Sequence, residues 1–281
     1  VERSPVIAGR EVALANLSIL DAPPTVLVDV AAAAGFDSVT LRLSDGDGDA
    51  NPLARDTPER RETLARLRHH GIGVLDVDVV QLSEETRVAR LAGVFDAAAV
   101  LGARYVLAIN RDRDEARAAE RFAEVCRACE PLRLGVVLEF LPFTATKTVE
   151  QAERLVVAAG RPAGGVLVDP LHLRRSGGSP AVVARLASAN PMRYPYLQLC
   201  DGSALAPEGR GLALYTEAVE NRLAPGEGEL GLPDLLAALP SVPLSVECPV
   251  AADAGRSAAE RAEHLFRATR RLLERQAAPG R

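Results

Sequence analysis

The strongest constraint on the fold is a rhythm. Short apolar runs rich in β-branched residues recur eight times, at Val12–Ile19, Ser38–Leu43, Gly73–Val80, Tyr105–Ile109, Gly135–Phe140, Gly165–Asp169, Tyr196–Cys200 and Leu244–Glu247. Longer amphipathic stretches, such as Glu84–Leu101 and Ala119–Glu130, separate them. The repeat averages roughly 35 residues, enough for a strand, a helix and two loops, which is what a parallel crossover needs. Eight such units in one series, with right-handed crossovers, close most simply into a single (β/α)8 TIM barrel; a doubly wound open sheet is the alternative. Nothing in the composition marks a boundary, so the chain reads as one α/β domain over residues 1–281.

The helix boundaries carry their own signals. Thr57-Pro58 and Ser179-Pro180 place proline in the first helical position behind a capping hydroxyl. Thr148 with Gln151, and Ser257 with Glu260, read as capping boxes. Gly35, Gly71, Gly102 and Gly135 precede strands, where helices stop.

Composition narrows the partners. With 38 acidic against 33 basic residues, a net charge of −5, 4% aromatics and no Trp, the chain lacks the basic, ring-rich surface that nucleic acid binding requires. The longest apolar run, Val28 to Phe36, contains Asp29 and is too short for a membrane span, and Val1-Glu2-Arg3-Ser4 does not open a signal peptide. Four scattered cysteines make no disulfide framework. These features predict a cytoplasmic protein acting on a small polar molecule, with no nucleic acid or membrane partner. Cys126-x-x-Cys129 stands in a helical stretch without a second pair and reads as packing, not as zinc or redox chemistry.

In a barrel the functional groups gather where strands end. Four consecutive runs end in polar groups: Glu139 after Val137, Asp169 after Leu167, Gln198 after Tyr196 and Glu247 after Ser245. Strand alternation turns all four toward the barrel axis. Three carboxylates meeting there repel one another unless a cation or protons intervene, and no inward lysine is available on these strands. One divalent ion on Glu139, Asp169, Gln198 and Glu247 answers the problem, and an all-oxygen set suits Mn2+ or Mg2+. The alternative is that individual groups serve loop backbone or neighbouring arginines.

The runs Leu138-Glu139-Phe140, Val168-Asp169-x-x-His172-x-x-Arg175-Ser176-Gly177, Leu197-Gln198-Leu199-Cys200-Asp201, Arg222 through Glu229 and Ser245-Val246-Glu247 resemble the xylose isomerase-like TIM barrels, the sugar phosphate isomerase/epimerase group. That resemblance implies Glu139, Asp169, Gln198 and Glu247 as metal ligands, His172 and Arg222 as substrate contacts, and the two glutamates as proton carriers. Gln198 departs from it, since the family has histidine there, although the related bacterial 3-dehydroshikimate dehydratases are similar in using glutamine. Relatives of this type often form dimers or tetramers.

The expected chemistry is therefore proton transfer through an enediolate, with Glu139, Glu247 and His172 catalytic, in an isomerase or epimerase of a sugar or polyhydroxy ketone. A dehydratase and an AP endonuclease-like repair protein are the alternatives. Arg175 and Arg222 are candidates for gripping substrate oxygens with forked donors. Pro225-Gly226-Glu227-Gly228-Glu229 reads as a rigid loop in which Glu227 or Glu229 holds Arg222. Asp45 to Asp56 fails as a calcium loop at its sixth and twelfth positions and reads as an acidic loop over the mouth. Asn110 serves either substrate or its own loop, and His69, His70 and His264 are solvated or structural.

Overall fold

The computed structural model describes residues 7–44, 51–209 and 211–277, so residues 45–50, the first half of the acidic loop, lie outside the described residues. The strands are β1 (Val12–Leu14), β2 (Ser38–Arg42), β3 (Gly73–Leu82), β4 (Ala103–Asn110), β5 (Gly135–Glu139), β6 (Gly164–Leu167), β7 (Leu197–Leu199) and β8 (Leu244–Val246). All pair in parallel in the order β6-β5-β4-β3-β2-β1-β8-β7. A parallel bridge between Val168 and Leu197, with Gln198 N–H donating to Val168 O at 3.0 Å, joins the two ends. The result is a single (β/α)8 barrel, as the eightfold rhythm predicts.

Ten helices wind around it among the described residues: α1 (Pro24–Ala34), α2 (Pro58–His70), α3 (Ala92–Leu101), α4 (Glu115–Cys129), α5 (Val149–Ala159), α6 (Pro170–Arg175), α7 (Pro180–Ala189), α8 (Leu212–Glu220), α9 (Leu232–Ala238) and α10 (Ala258–Ala277). None is long and apolar enough to cross a membrane. One apolar layer, including Val39, Phe95, Phe122, Val136 and Val246, fills the space between strands and helices. A second, formed by Ala13, Leu75, Leu107, Val137, Leu167 and Tyr196, packs the barrel interior. Each fully buried side chain of this size contributes about 1.5–3 kcal/mol. Val137 and Leu167 lie in the interior while Val136, Leu138, Val166 and Val168 face the helices, the alternation that aims Glu139 and Asp169 inward.

Several boundaries differ from the sequence expectation. β1 stops at Leu14, because Asn16–Ile19 turns into a 3-10 helix whose Ser18 hydroxyl donates to Val246 O at 2.9 Å and accepts from Cys248 N–H at 2.8 Å. The helix expected from Glu84 begins only at Ala92, after a turn in which Thr86 Oγ1 accepts from Ser83 N–H and donates to Gln81 O. Helix α4 starts earlier than expected, with Asp114 accepting Arg117 N–H as its cap. Ser179 makes no side-chain cap bond. The capping boxes at Thr148 and Ser257 are formed, and Thr57 caps α2. Gly35, Gly71 and Gly102 end their helices, whereas Gly135 begins β5 and the preceding stop falls on Arg133.

Candidate metal centre

Strands β5 to β8 bring their polar ends to one mouth of the barrel. Glu139 closes β5 and is buried. Two residues beyond β6, Asp169 is the N-cap of α6, and Pro170 behind it starts the helix at once. Asp169 Oδ1 accepts the N–H groups of Leu171 (2.7 Å) and His172 (3.1 Å), while Oδ2 accepts Arg222 Nη1–H at 2.6 Å. This short helix carries His172 over the strand ends, where the Phe143 ring packs edge-on against it at 5.8 Å.

Glu139, Asp169 and His172 each present one ligating atom within 4.8 Å of the others, and all three are buried. His172 Nε2 lies 3.7 Å from Glu139 Oε1, beyond hydrogen-bond length. Glu139 Oε1 and Gln198 Oε1 are buried and have no hydrogen-bond partner among the described residues. Glu247 turns one oxygen to Arg222, Nη2 donating to Oε2 at 3.1 Å.

Arg222 sits 2% exposed between Asp169 and Glu247. Its Nε–H donates to Ala218 O at 2.6 Å, and Nη1–H groups reach Asp169 Oδ2 and Glu247 O (2.9 Å). The structure thus gives protein partners to a side chain expected to meet substrate. Arg175 is likewise committed, forking onto Glu217 at 2.7 and 2.6 Å and donating to Ser203 O at 2.9 Å.

The electrostatics follow from burying three carboxylates around one guanidinium. Burial, then the charges of Glu247 and Asp169, push the Glu139 carboxyl well above the usual range. Burial pushes Glu247 up to about 7, with Arg222 pulling the other way. Burial works against the Asp169 carboxylate too, but Arg222 and the backbone donor at His172 hold it below the ordinary value. Burial pushes His172 down to about 4, which leaves the imidazole neutral and its lone pair free for a ligand. Two unpartnered buried oxygens, a neutral imidazole and a surplus of carboxylates over guanidinium fit a divalent cation.

Other expected residues fall elsewhere. Glu227 faces His264 and Arg271, and Glu229 accepts from Ala204 N–H, so neither holds Arg222. The loop is organised instead by Asp201, which sequence reading left without a role: it accepts the N–H groups of Gly202 (2.9 Å), Gly226 (3.1 Å) and Leu230 (3.0 Å). Asn110 binds its own loop at Asp112 and the loop after β5 at Thr146. Cys126 and Cys129 are buried and unlinked, with thiols pushed up to about 12 by burial, in keeping with a packing role. His70 pairs with Asp29, away from the mouth.

A family model described as xylose isomerase-like TIM barrel matches residues 28–272. No curated protein matches the sequence. Among solved structures, a xylose isomerase-like TIM barrel/4-hydroxyphenylpyruvate dioxygenase fusion protein superposes with a TM-score of 0.75 and 22% identity, over 97% of this chain and 45% of its own. This chain therefore spans less than half of that protein. The IolI protein, solved with a bound zinc atom, gives 0.74 and 19% over 95% and 99% of the two chains. A D-allulose 3-epimerase from Methylomonas sp. gives 0.68 and 13% over 97% and 100%. At these identities the likeness is one of fold.

Proposed function

The chain belongs to the xylose isomerase-like TIM barrel family, and from that premise we propose that it is a divalent-metal-dependent isomerase or epimerase of a small polyhydroxylated ketone. The observation that carries the reading is the pair of buried carboxyls, Glu139 and Glu247, delivered by different strands to a mouth that also holds the unpartnered oxygens of Glu139 and Gln198. Glu139, Asp169 and His172 would hold the ion, with oxygens of Gln198 and Glu247 beside them. One nitrogen among oxygens suits Mn2+ ahead of Mg2+. Such an ion, when bound, draws electron density from a substrate oxygen and acidifies the adjacent C–H.

The protein groups then move the proton. Glu247 takes and gives the proton from β8, and Glu139 supplies the second carboxyl from β5. Return to the same carbon gives epimerisation; return to its neighbour gives isomerisation. Arg222 lies behind the reacting side, orienting Glu247 and fixing Asp169. The substrate is a small polar molecule, and neither Arg222 nor Arg175 is disengaged to bind a phosphate or carboxylate.

The test is exchange of a substrate C–H into D2O, read by proton NMR over the free D-ketohexoses with Mn2+-loaded protein, alongside elemental analysis. The reading expects about one ion per chain, exchange next to the carbonyl, and a loss of about 10²–10⁴-fold in rate in Glu139→Gln and Glu247→Gln. Metal-free protein that is fully active would overturn it. A second reading, a lyase that expels a β-hydroxyl, rests on Gln198 standing where the family has histidine; an unsaturated product absorbing in the ultraviolet would decide for it.

A further inference from the structure

Beside Glu247 at the same mouth, where β1 pairs with β8, the ends of β1, β2 and β3 carry a polar cluster made of residues other than the candidate metal ligands. Asn16 Nδ2–H donates to Thr40 Oγ1 and to Asp78 Oδ2, each at 3.0 Å, and Asn16 N–H donates to Thr40 Oγ1 at 3.1 Å. The three side chains are 6%, 3% and 8% exposed. Asn16 Oδ1 is buried with no hydrogen-bond partner among the described residues. The amide has one orientation, because turning it over would set its oxygen against the Asp78 carboxylate. Ser18, two residues on, ties this segment to Val246 O and Cys248 N–H, the residues flanking Glu247.

The hydrogen-bonding capacity left over is specific. Thr40 Oγ1 already accepts twice, so its hydroxyl hydrogen remains to donate, and Asn16 Oδ1 remains to accept. A hydroxyl group satisfies both, since it accepts and donates. A carboxylate or a phosphate dianion offers only acceptors and leaves Asn16 Oδ1 unsatisfied.

The geometry points to a substrate subsite formed by Asn16 and Thr40 that binds the hydroxylated, uncharged end of the substrate, so that the protein prefers free sugars to their phosphate esters. This rests on the reading of the mouth as a sugar-binding active site. It also adds a specificity surface on the strand next to β8, beside Glu247.

The experiment is calorimetric titration of Mn2+-loaded full chain with the free D-ketohexoses and with their 6-phosphates, using wild type, Asn16→Ala and Thr40→Val, with melting curves to verify folding. The expected result is that at least one free sugar binds, its ester binds tenfold or more weakly, and both variants lose about tenfold in affinity for the free sugar while keeping the wild-type metal content. Equal or tighter binding of the ester, unchanged affinity in folded variants, or no sugar binding at all would overturn the subsite. So would a second ion per chain that disappears in Asn16→Ala, which would make Asn16 a metal ligand. Binding through Asn16 without C–H exchange into D2O would keep the subsite and sink the proposed reaction; exchange that is indifferent to both variants would do the reverse.

Discussion

Arg222 is the side chain on which the buried carboxylates depend. It is the guanidinium bonded to both Asp169 and Glu247, and with all three buried the attraction is poorly screened by water. Replacing it with Met leaves Asp169 ionised and uncompensated, and breaking a buried pair in this way costs about 3–5 kcal/mol. Urea denaturation of Arg222→Met against wild type measures that loss. Arg222→Lys is expected to recover only part of it, because one ammonium cannot reach Ala218 O, Asp169 and Glu247 together. Glu139, Asp169, Gln198 and Glu247 were legible in the sequence because each ends an apolar run in phase with an inward neighbour. Asn16 and Asp201 were not. The run Val12–Ile19 reads as one continuous strand, which hides Asn16 in its middle, and the role of Asp201 depends on a loop folding back from 25 residues away.

At the scale of elements, two helix starts that look alike in sequence behave differently. Thr148 makes a capping box with Gln151, so Thr148→Ala removes the bond to the Gln151 N–H and costs about 1 kcal/mol. Ser179 also places a hydroxyl at the N-cap, ahead of Pro180, but makes no cap bond, and Ser179→Ala is expected to be near neutral. Thermal melting of the two variants side by side checks the contrast. The loop after Arg222 is more demanding. A Cβ on Gly228 would lie 2.4 Å from Gly202 O and 2.6 Å from Asp201 Oδ1, both held by the hydrogen bonds that organise the loop. Gly228→Ala is therefore expected to destabilise by about 1–3 kcal/mol and to loosen the Asp201 anchor. Element type was readable from periodicity, whereas boundaries shifted wherever a side chain offered the backbone another partner, as Thr86 does before α3 and Ser18 does after β1.

For the whole molecule, the repeated strand-helix unit made the closed barrel legible, and the Val168–Leu197 bridge joins its two ends. Closure crowds the strand-end carboxyls, and that crowding couples stability to pH and to metal. A carboxyl with a folded-state pKa above its unfolded value stabilises the fold below the unfolded value, and this is lost as pH rises through the folded one. Glu247, ordinarily at 4.5 and pushed to about 7, sets that loss between those values, and Glu139 and Asp76 are shifted in the same direction. Asp169 and Asp112, held low by Arg222 and Arg117, act oppositely on the acid side of 3.8, and His172, pushed from 6.5 down to about 4, opposes the three raised carboxyls inside the window itself, one group against three. The melting temperature of chelated protein should thus fall as pH rises across the window from 4.5 to about 7. Mn2+ at about 100 times its dissociation constant adds about 2.7 kcal/mol. Because the ion competes with protons for the same oxygens, the gain is larger at the upper end of the window, and the pH dependence flattens. Melting curves across that window, with chelator and with Mn2+, read both effects. A chelated protein that becomes more stable as pH rises toward 7 would mean that the neutral His172 outweighs the mouth carboxyls, which are then already compensated without an ion.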